Sequence, residues 1–150
     1  MRFIGKDYNP ARMERTVRAL FVCPEKKARP LAVAEVQVSS SGFQGDFHSR
    51  TANRRQILML SSDVLRAFEV SPGTLFENIV IDGIDVMSLS PGQRLHIGDS
   101  VLEVTVPCEP CLQMERIRKG LKQALQGKRG MFAQVVTPGT IRIGDTVTFS

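Results

Sequence analysis

The chain contains no apolar run of the roughly 20 residues that a membrane-spanning helix requires. Its first residues, 1–7, include no apolar segment of the kind that forms the centre of a signal peptide. Cysteine is also scarce, and three cysteines, an odd number, argue against the disulfide framework of a small secreted domain. These absences together predict a protein of a reducing compartment, the cytoplasm, without a membrane partner.

Positive charge is present but is not concentrated. The sequence has no long block of lysine and arginine and no tryptophan, and aromatic residues make up only 6% of it. Nucleic-acid-binding domains typically cluster basic residues and interleave them with aromatic ones, so that class of partner is not expected. The balance of 20 basic against 15 acidic residues, a net charge of +5, leaves a mild preference for anionic small molecules.

Length and turn chemistry predict one mostly β domain. The 150 residues suffice for a single domain with a sizeable core, and residues 1–14 look like a loose N-terminal arm. Residues 91–101 and 138–147 repeat one order of features: a Pro-Gly turn, a strand, an Ile-Gly-Asp turn and a second strand. Two such hairpins favour an antiparallel β-barrel or sandwich over a doubly wound sheet.

Two of the cysteines, Cys108 and Cys111, lie in the stretch 105–114, where an extended segment gives way to a predicted helix. Apolar residues recur at helical spacing from Met114 to Leu125 and predict that helix. Prolines restrict the backbone on both sides of Cys108. A thiol at a helix start faces unpaired N–H groups and the positive end of the dipole, which favour the thiolate. The pattern therefore predicts Cys111, and secondarily Cys108, as reactive.

Three other roles for these cysteines remain open from the sequence. A cysteine is often a small core residue, which the paired prolines make less fitting here. A Cys-x-x-Cys pair can also be half of a zinc site, but Cys23 stands alone, and His48 and His96 have no ligand spacing. A thioredoxin-like dithiol would need a βαβ setting, which the rest of the chain does not supply.

A second unusual stretch lies at residues 42–50, where two glycines flank an aromatic residue. Gly45, Asp46 and His48 occur within four positions, and Arg54 and Arg55 follow just before an apolar strand. Arginines can fork onto phosphate oxygens, and glycine lets a backbone approach a ligand closely, so the stretch could form an anion cradle. The alternative is a polar loop with a satisfied histidine, in which Asp46 accepts backbone N–H groups of the turn.

An acid and an amide precede another apolar strand, at Glu77 and Asn78. Buried polar side chains of this kind either connect backbone segments by hydrogen bonds or bind a ligand. The residue types alone favour the connecting role slightly.

Several short motifs follow one another in a fixed order along the chain. They are Gly-Asp-Phe-His at 45–48, Arg-Gln-Ile at 55–57, Pro-Gly at 72–73 with Glu-Asn-Ile at 77–79, the segments 91–99 and 102–105, Glu-Pro-Cys at 109–111, Gly130, and Ile-Gly-Asp-Thr-Val at 143–147. In this order they resemble the motifs of the MOSC domain, the module named after the C-terminal part of molybdenum cofactor sulfurase. The resemblance runs from about Val17 to the last residue.

The resemblance implies a β-barrel of largely antiparallel strands with a pocket that holds Cys111. Members of the family bind the molybdenum cofactor or handle its sulfur, and some reduce N-hydroxylated compounds with the cysteine as a molybdenum ligand. A soft thiolate suits molybdenum, and arginines suit the phosphate of the pterin. The implied cofactor-binding residues, grouped around Cys111 and Cys108, are Gly45, Asp46, His48, Arg54, Arg55, Glu77 and Asn78.

Two residues depart from the family pattern. Phe76 stands where the family usually has a glycine, and Glu109 places an acid before the cysteine where a basic residue is frequent. The desulfurase domain of full-length sulfurases and its pyridoxal-phosphate lysine motif are not visible in this sequence, nor is a flavin or iron–sulfur motif.

Three functions follow from this resemblance. The first is a molybdenum-dependent reductase of N-hydroxylated compounds, which would take electrons from a partner protein because the chain has no redox motif of its own. The second is a carrier, in which Cys111 holds a persulfide from a sulfur-donor protein, or the cofactor, and passes it on. The third is a scaffold without cofactor, which the two departures would explain.

Overall fold

The computed structural model describes residues 14–26, 28–49 and 53–150. The predicted N-terminal arm lies outside the described residues except for Glu14. The strands are β1 Thr16–Val22, β2 Leu31–Val33, β3 Glu35–Ser39, β4 Gly42–Phe43, β5 Ile57–Ser61, β6 Ile79–Asp82, β7 Arg94–Ile97, β8 Ser100–Pro107, β9 Met131–Thr137, β10 Gly139–Arg142 and β11 Val147–Phe149. The helices are α1 Ser62–Ala67, α2 Leu112–Ile117 and α3 Leu121–Ala124, with a 3-10 turn at Val86–Ser88.

The strands form two sheets that are largely antiparallel. An eight-stranded sheet has the order β11-β7-β8-β9-β5-β6-β1-β2, and a three-stranded sheet has the order β10-β3-β4. Within the described part of the chain, the parallel pair is β5 with β6, and α1 lies in the connection between those two strands. The prediction of a mostly β fold with largely antiparallel strands is confirmed.

The predicted closure into a barrel is not found. The start of β1, the strand next to one edge of the large sheet, approaches the turn before β11 at the other edge. The Val17 N–H donates to the Asp145 carbonyl at 2.9 Å, and the Gly144 N–H donates to the Val17 carbonyl at 2.8 Å. The contact amounts to an isolated bridge between Thr16 and Thr146 and does not continue as a ladder. The sheet therefore curls without closing.

The contact of Val17 with the turn at Gly144 and Asp145 also explains why one of the two predicted hairpins is wrong. The first repeat forms an antiparallel hairpin, in which β7 pairs with β8 across the turn at Gly98. In the second repeat β10 pairs with β3, whereas β11 pairs with β7. The turn between them is bonded to β1 through Val17, so its two strands leave toward different sheets.

The core has two parts, one on each face of the large sheet. Residues of β5 alternate between them: Ile57 and Met59 pack with the three-stranded sheet, whereas Leu58 and Leu60 pack under the helices. The predicted helix of the cysteine region is split into α2 and α3, since Gly120 adopts a left-handed φ of +87°. Within the described residues, no helix has both the length and the apolar character needed to cross a membrane.

Candidate functional site

Both cysteines of the predicted reactive stretch border a pocket of about 120 Å³ beside the first turn of α2. The pocket combines aromatic walls with thiols and basic groups. Its lining residues are Lys26, Phe47, His48, Leu58, Phe76, Cys108, Cys111, Gln113, Met114, Arg129 and Phe132.

Cys111 occupies the junction between the extended segment and α2, as the sequence predicts. It is the N-cap residue, with φ −124° and ψ 176°, and its carbonyl accepts the Met114 N–H at 2.9 Å. The residue is exposed, whereas Cys108 is half-buried and donates its backbone N–H to the Gly130 carbonyl at 2.9 Å. Because Cys111 is the exposed thiol of the three, it is the one that a ligand in the pocket mouth can reach.

The other two thiols have raised pKa values, which disfavours their thiolate forms. Burial raises the pKa of Cys108, and the nearby Arg129 and Arg55 oppose that effect only in part. Burial, together with the carboxylates of Asp46 and Glu77, raises the pKa of Cys23 to about 12. Cys23 is also fully buried, so it belongs to the core.

His48 faces the pocket and is oriented from behind by Asp46. The Asp46 Oδ2 atom lies 2.8 Å from the ring Nδ1 and also accepts the His48 backbone N–H at 2.9 Å. Ring contacts fix the imidazole further, since its centroid is 3.9 Å from that of Phe47 and 6.1 Å from that of Phe132. With Nδ1 bonded to a carboxylate, Nε2 is the nitrogen left to exchange a proton with a ligand.

Asp46 and Asn78 form a buried layer behind the pocket. The Asp46 Oδ1 atom accepts the Cys23 N–H at 2.6 Å and the Asn78 amide at 2.9 Å. Asn78 also accepts the Leu58 N–H at 2.9 Å through its Oδ1 atom and donates to the Phe21 carbonyl at 3.3 Å. Both side chains therefore connect backbone segments, and they reach the pocket through His48.

Glu77 is buried beneath the same region. Its Oε2 atom accepts the Gly73 N–H at 2.7 Å, whereas Oε1 has no hydrogen-bond partner in the described part of the chain. Burial raises the pKa of Glu77, although the Gly73 N–H, its own backbone N–H and the charge of Arg129 act in the opposite direction. Glu77 does not line the pocket.

Arg129 is a pocket residue that the sequence reasoning missed. Its side chain donates from Nη2 to the Leu75 carbonyl, and the residue is only 4% exposed. Its Nε and Nη1 atoms have no hydrogen-bond partner among the residues that the structure describes. The sequence feature that could have indicated its position is the next residue, Gly130. This glycine has a φ of +147°, and a Cβ there would lie 2.8 Å from the Met59 carbonyl. This close approach holds Arg129 against the sheet.

Phe76 forms one wall of the pocket in an unusual backbone conformation. Its φ is +61°, in the left-handed region that favours glycine and is costly for an aromatic residue. The same side chain borders a larger cavity of about 630 Å³, which Phe21, Arg29 and Gly73 also line. Phe76 thus separates the small pocket from the larger cavity.

The remaining predicted site residues lie elsewhere. Arg54 and Arg55 are exposed and line a different depression, of about 370 Å³, with Asn53 and Val106. Arg55 nevertheless acts on Cys108 electrostatically, so this depression lies toward the cysteine side of the molecule. Gly45 is exposed and does not line the pocket. The predicted single concavity is therefore divided into an inner pocket and an outer basic surface.

The protein side chains offer a metal few ligands. Within the described residues, no group of three or more His, Cys, Asp and Glu side chains is placed to hold an ion. A metal at Cys111 would have to arrive with most of its ligands already in place.

Comparison with known proteins identifies the family. The sequence model described as "MOSC domain" matches residues 46–148, which is more than half of the chain. None of the curated proteins compared with the chain matches it.

Solved structures share the fold. The structure of the YUAD protein from Bacillus subtilis is 22% identical, covers 90% of this chain and 94% of its own, and has a TM-score of 0.78. YiiM from Geobacillus stearothermophilus is 19% identical, with 91% and 75% of the two chains covered and a TM-score of 0.73. YiiM from Escherichia coli is also 19% identical, with 90% and 69% covered and a TM-score of 0.68.

Proposed function

Because the chain belongs to the MOSC domain family, we propose that it binds the molybdenum cofactor through Cys111 and reduces N-hydroxylated compounds. The observation that carries the proposal is the placement of one exposed thiol, Cys111, at the mouth of a pocket that His48 also lines. A soft sulfur ligand in that position suits molybdenum, which the pterin already holds through sulfur. The chain would act in the cytoplasm and would take electrons from a partner protein.

Groups that suit such a cofactor lie both at the inner pocket and on the outer basic surface beside Arg54 and Arg55. Ligand sites for drug-sized molecules usually measure about 300–1,000 Å³. The inner pocket, at about 120 Å³, is too small for a whole pterin. The outer surface is larger, about 370 Å³, and carries Arg54 and Arg55, whose guanidinium groups suit a phosphate. We assign the metal to Cys111 and the phosphate to these two arginines.

When bound, the cofactor would supply two electrons at the metal. Reduction of an N-hydroxylated compound breaks its N–O bond, consumes two electrons and two protons, and releases an amine and water. His48 is the group of this chain that is suited to deliver one of the protons, since Asp46 fixes Nδ1 and leaves Nε2 toward the pocket.

A second candidate function is sulfur carriage, and the presence of two thiols at one pocket favours it. Cys111 would hold a persulfide received from a donor protein and pass the outer sulfur to an acceptor. Attack of the Cys108 thiol on the inner sulfur would release hydrogen sulfide and leave a Cys108–Cys111 disulfide, which balances atoms and electrons.

One purification separates the candidates. Full-length protein from a host that makes the cofactor is assayed for hydroxylamine reduction with an artificial electron donor, and Cys111 is analysed by mass spectrometry. Turnover that Cys111→Ser abolishes supports the reductase. Persulfide on Cys111 without turnover supports the carrier, and protein with neither property is a scaffold, which contradicts the proposal.

A further inference from the structure

Arg129 is a buried cation that makes no ion pair in the described part of the chain. The residue is 4% exposed, and within the described residues its guanidinium makes one hydrogen bond, from Nη2 to the Leu75 carbonyl. A buried charge of this kind is strongly unfavourable unless it is paired. Its Nε and Nη1 atoms have no hydrogen-bond partner among the residues that the structure describes, and the residue lines the pocket beside the cysteines.

The nearby carboxylates form no ion pair with Arg129 in the described part of the chain. Glu77 makes no ion pair within the described residues, and its own Oε1 atom is also unpartnered. Asp46 already accepts four hydrogen bonds: one from Cys23, one from Asn78, and two from His48, through its backbone N–H and its ring Nδ1. Glu77 is close enough for the charge of Arg129 to lower its pKa, but neither acid contacts the Nε and Nη1 atoms of Arg129.

The rest of the pocket specifies what such an anion should look like. Phe47, Phe76 and Phe132 form apolar walls, and Lys26 adds a second positive charge. The volume of about 120 Å³ is somewhat less than the roughly 150 Å³ of a cavity that accepts benzene. A ligand with a short apolar body and one anionic end matches these walls.

We propose that the inner pocket binds a small organic monoanion, a short-chain carboxylate, whose charged end pairs with Arg129. The apolar body lies between the phenyl rings, close to Cys108 and Cys111. This site goes beyond the proposed function, because it requires neither molybdenum nor electron transfer. It places a small acidic molecule next to the thiols.

Phe76 determines the size of the ligand. Its side chain stands between the inner pocket and the cavity of about 630 Å³. Glycine adopts a φ of +61° readily, so Phe76→Gly is compatible with the local backbone and joins the two spaces. The variant is expected to accept anions with larger apolar bodies.

Isothermal titration calorimetry on molybdenum-free, full-length protein tests the site with butyrate, 1-butanol and benzoate. The wild type is expected to bind butyrate saturably and at least tenfold more tightly than 1-butanol or benzoate. Arg129→Gln is expected to lose ten- to hundredfold in butyrate affinity, as removal of a charged hydrogen-bond donor does. Arg116→Gln, an exposed change on α2, should bind as the wild type does.

Phe76→Gly is expected to bind benzoate at least tenfold more tightly than the wild type does. Wild-type protein that does not bind butyrate, or that binds 1-butanol equally well, overturns the proposal, and this comparison decides even if Arg129→Gln fails to fold. Unchanged butyrate affinity in folded Arg129→Gln overturns it as well.

Discussion

Asp46 binds His48 twice, accepting its backbone N–H at 2.9 Å and its ring Nδ1 at 2.8 Å on one carboxylate oxygen. The other oxygen accepts from Cys23 and Asn78, which belong to the buried interior. One acid therefore couples the orientation of a pocket imidazole to the packing of the core. Sequence reasoning left open whether Asp46 serves the turn or a ligand, and its contacts assign it to the turn and to His48.

Asp46→Ala is expected to destabilise the fold by about 3 kcal/mol or more, since it leaves at least two buried donors without an acceptor and each such loss costs about 1–3 kcal/mol. Chemical denaturation measures the change. Asp63→Ala, at an exposed position of α1, is the matched control and should stay within about 0.5 kcal/mol of the wild type. Equal effects of the two variants would contradict the role given to Asp46.

The three thiols should react with iodoacetamide in the order Cys111, Cys108, Cys23. Cys111 is exposed, whereas the raised pKa of Cys108 keeps its thiolate fraction low near neutral pH. Because the pKa of Cys108 is raised, its labelling should increase mainly at alkaline pH. Cys23, with a pKa of about 12 and no exposed surface, should remain unlabelled in the folded protein.

Peptide mapping after limited alkylation checks this order. A denatured sample, in which all three thiols are free to react, is the control. Labelling of Cys23 ahead of Cys111 in the native protein would refute the assignment of the reactive thiol.

Glu77→Gln should remove a pH dependence of stability. Burial raises the pKa of Glu77 in the folded state above 4.5, so the folded protein keeps a proton that the unfolded chain has already lost. Stability from this group is full below pH 4.5 and decreases as pH rises through the folded pKa. Glutamine resembles the protonated acid and can still accept the Gly73 N–H.

The difference in melting temperature between Glu77→Gln and the wild type should therefore grow in favour of the variant as pH rises from 4.5 to 8. Thermal unfolding followed by circular dichroism at several pH values measures it. If the melting temperature of the variant instead falls relative to that of the wild type as pH rises, Glu77 stabilises the fold as a carboxylate.

Arg55→Ala is expected to weaken cofactor retention about ten- to hundredfold while activity recovers at higher cofactor supply, because one charged contact to the phosphate is lost. The pterin content after dialysis measures retention. Arg66→Ala, which removes an exposed arginine paired with Asp63, is the control and should retain the cofactor normally. If the two variants retain the same amount of pterin, the phosphate does not bind at Arg55.

The features that the sequence predicted correctly depend on local chemistry. The strands of the first repeat follow from alternation and the Ile-Gly-Asp turn between them, and β7 pairs with β8 as expected. The place of Cys111 at a helix start follows from the prolines beside it. The family follows from ordered motifs, and the match over residues 46–148 confirms it.

The features that it missed depend on contacts between distant parts of the chain. The second repeat does not form a hairpin, because its turn bonds to Val17, far away in sequence. Arg129 looks like an ordinary surface base beside Lys128, and only the fold over Leu75 buries it. The burial of Arg129 depends on this contact between distant segments, and its one local indication is the glycine that follows it.

The most direct test of the central claim is the molybdenum and pterin content of protein purified from a cofactor-producing host. The account predicts about one molybdenum per chain in the wild type and in Cys23→Ala, whose thiol is buried in the core. Cys111→Ser should fold normally and carry at least tenfold less molybdenum, because only the metal-binding thiol is lost. Wild-type protein without molybdenum or pterin, or undiminished molybdenum in Cys111→Ser, would contradict the claim that Cys111 holds the cofactor.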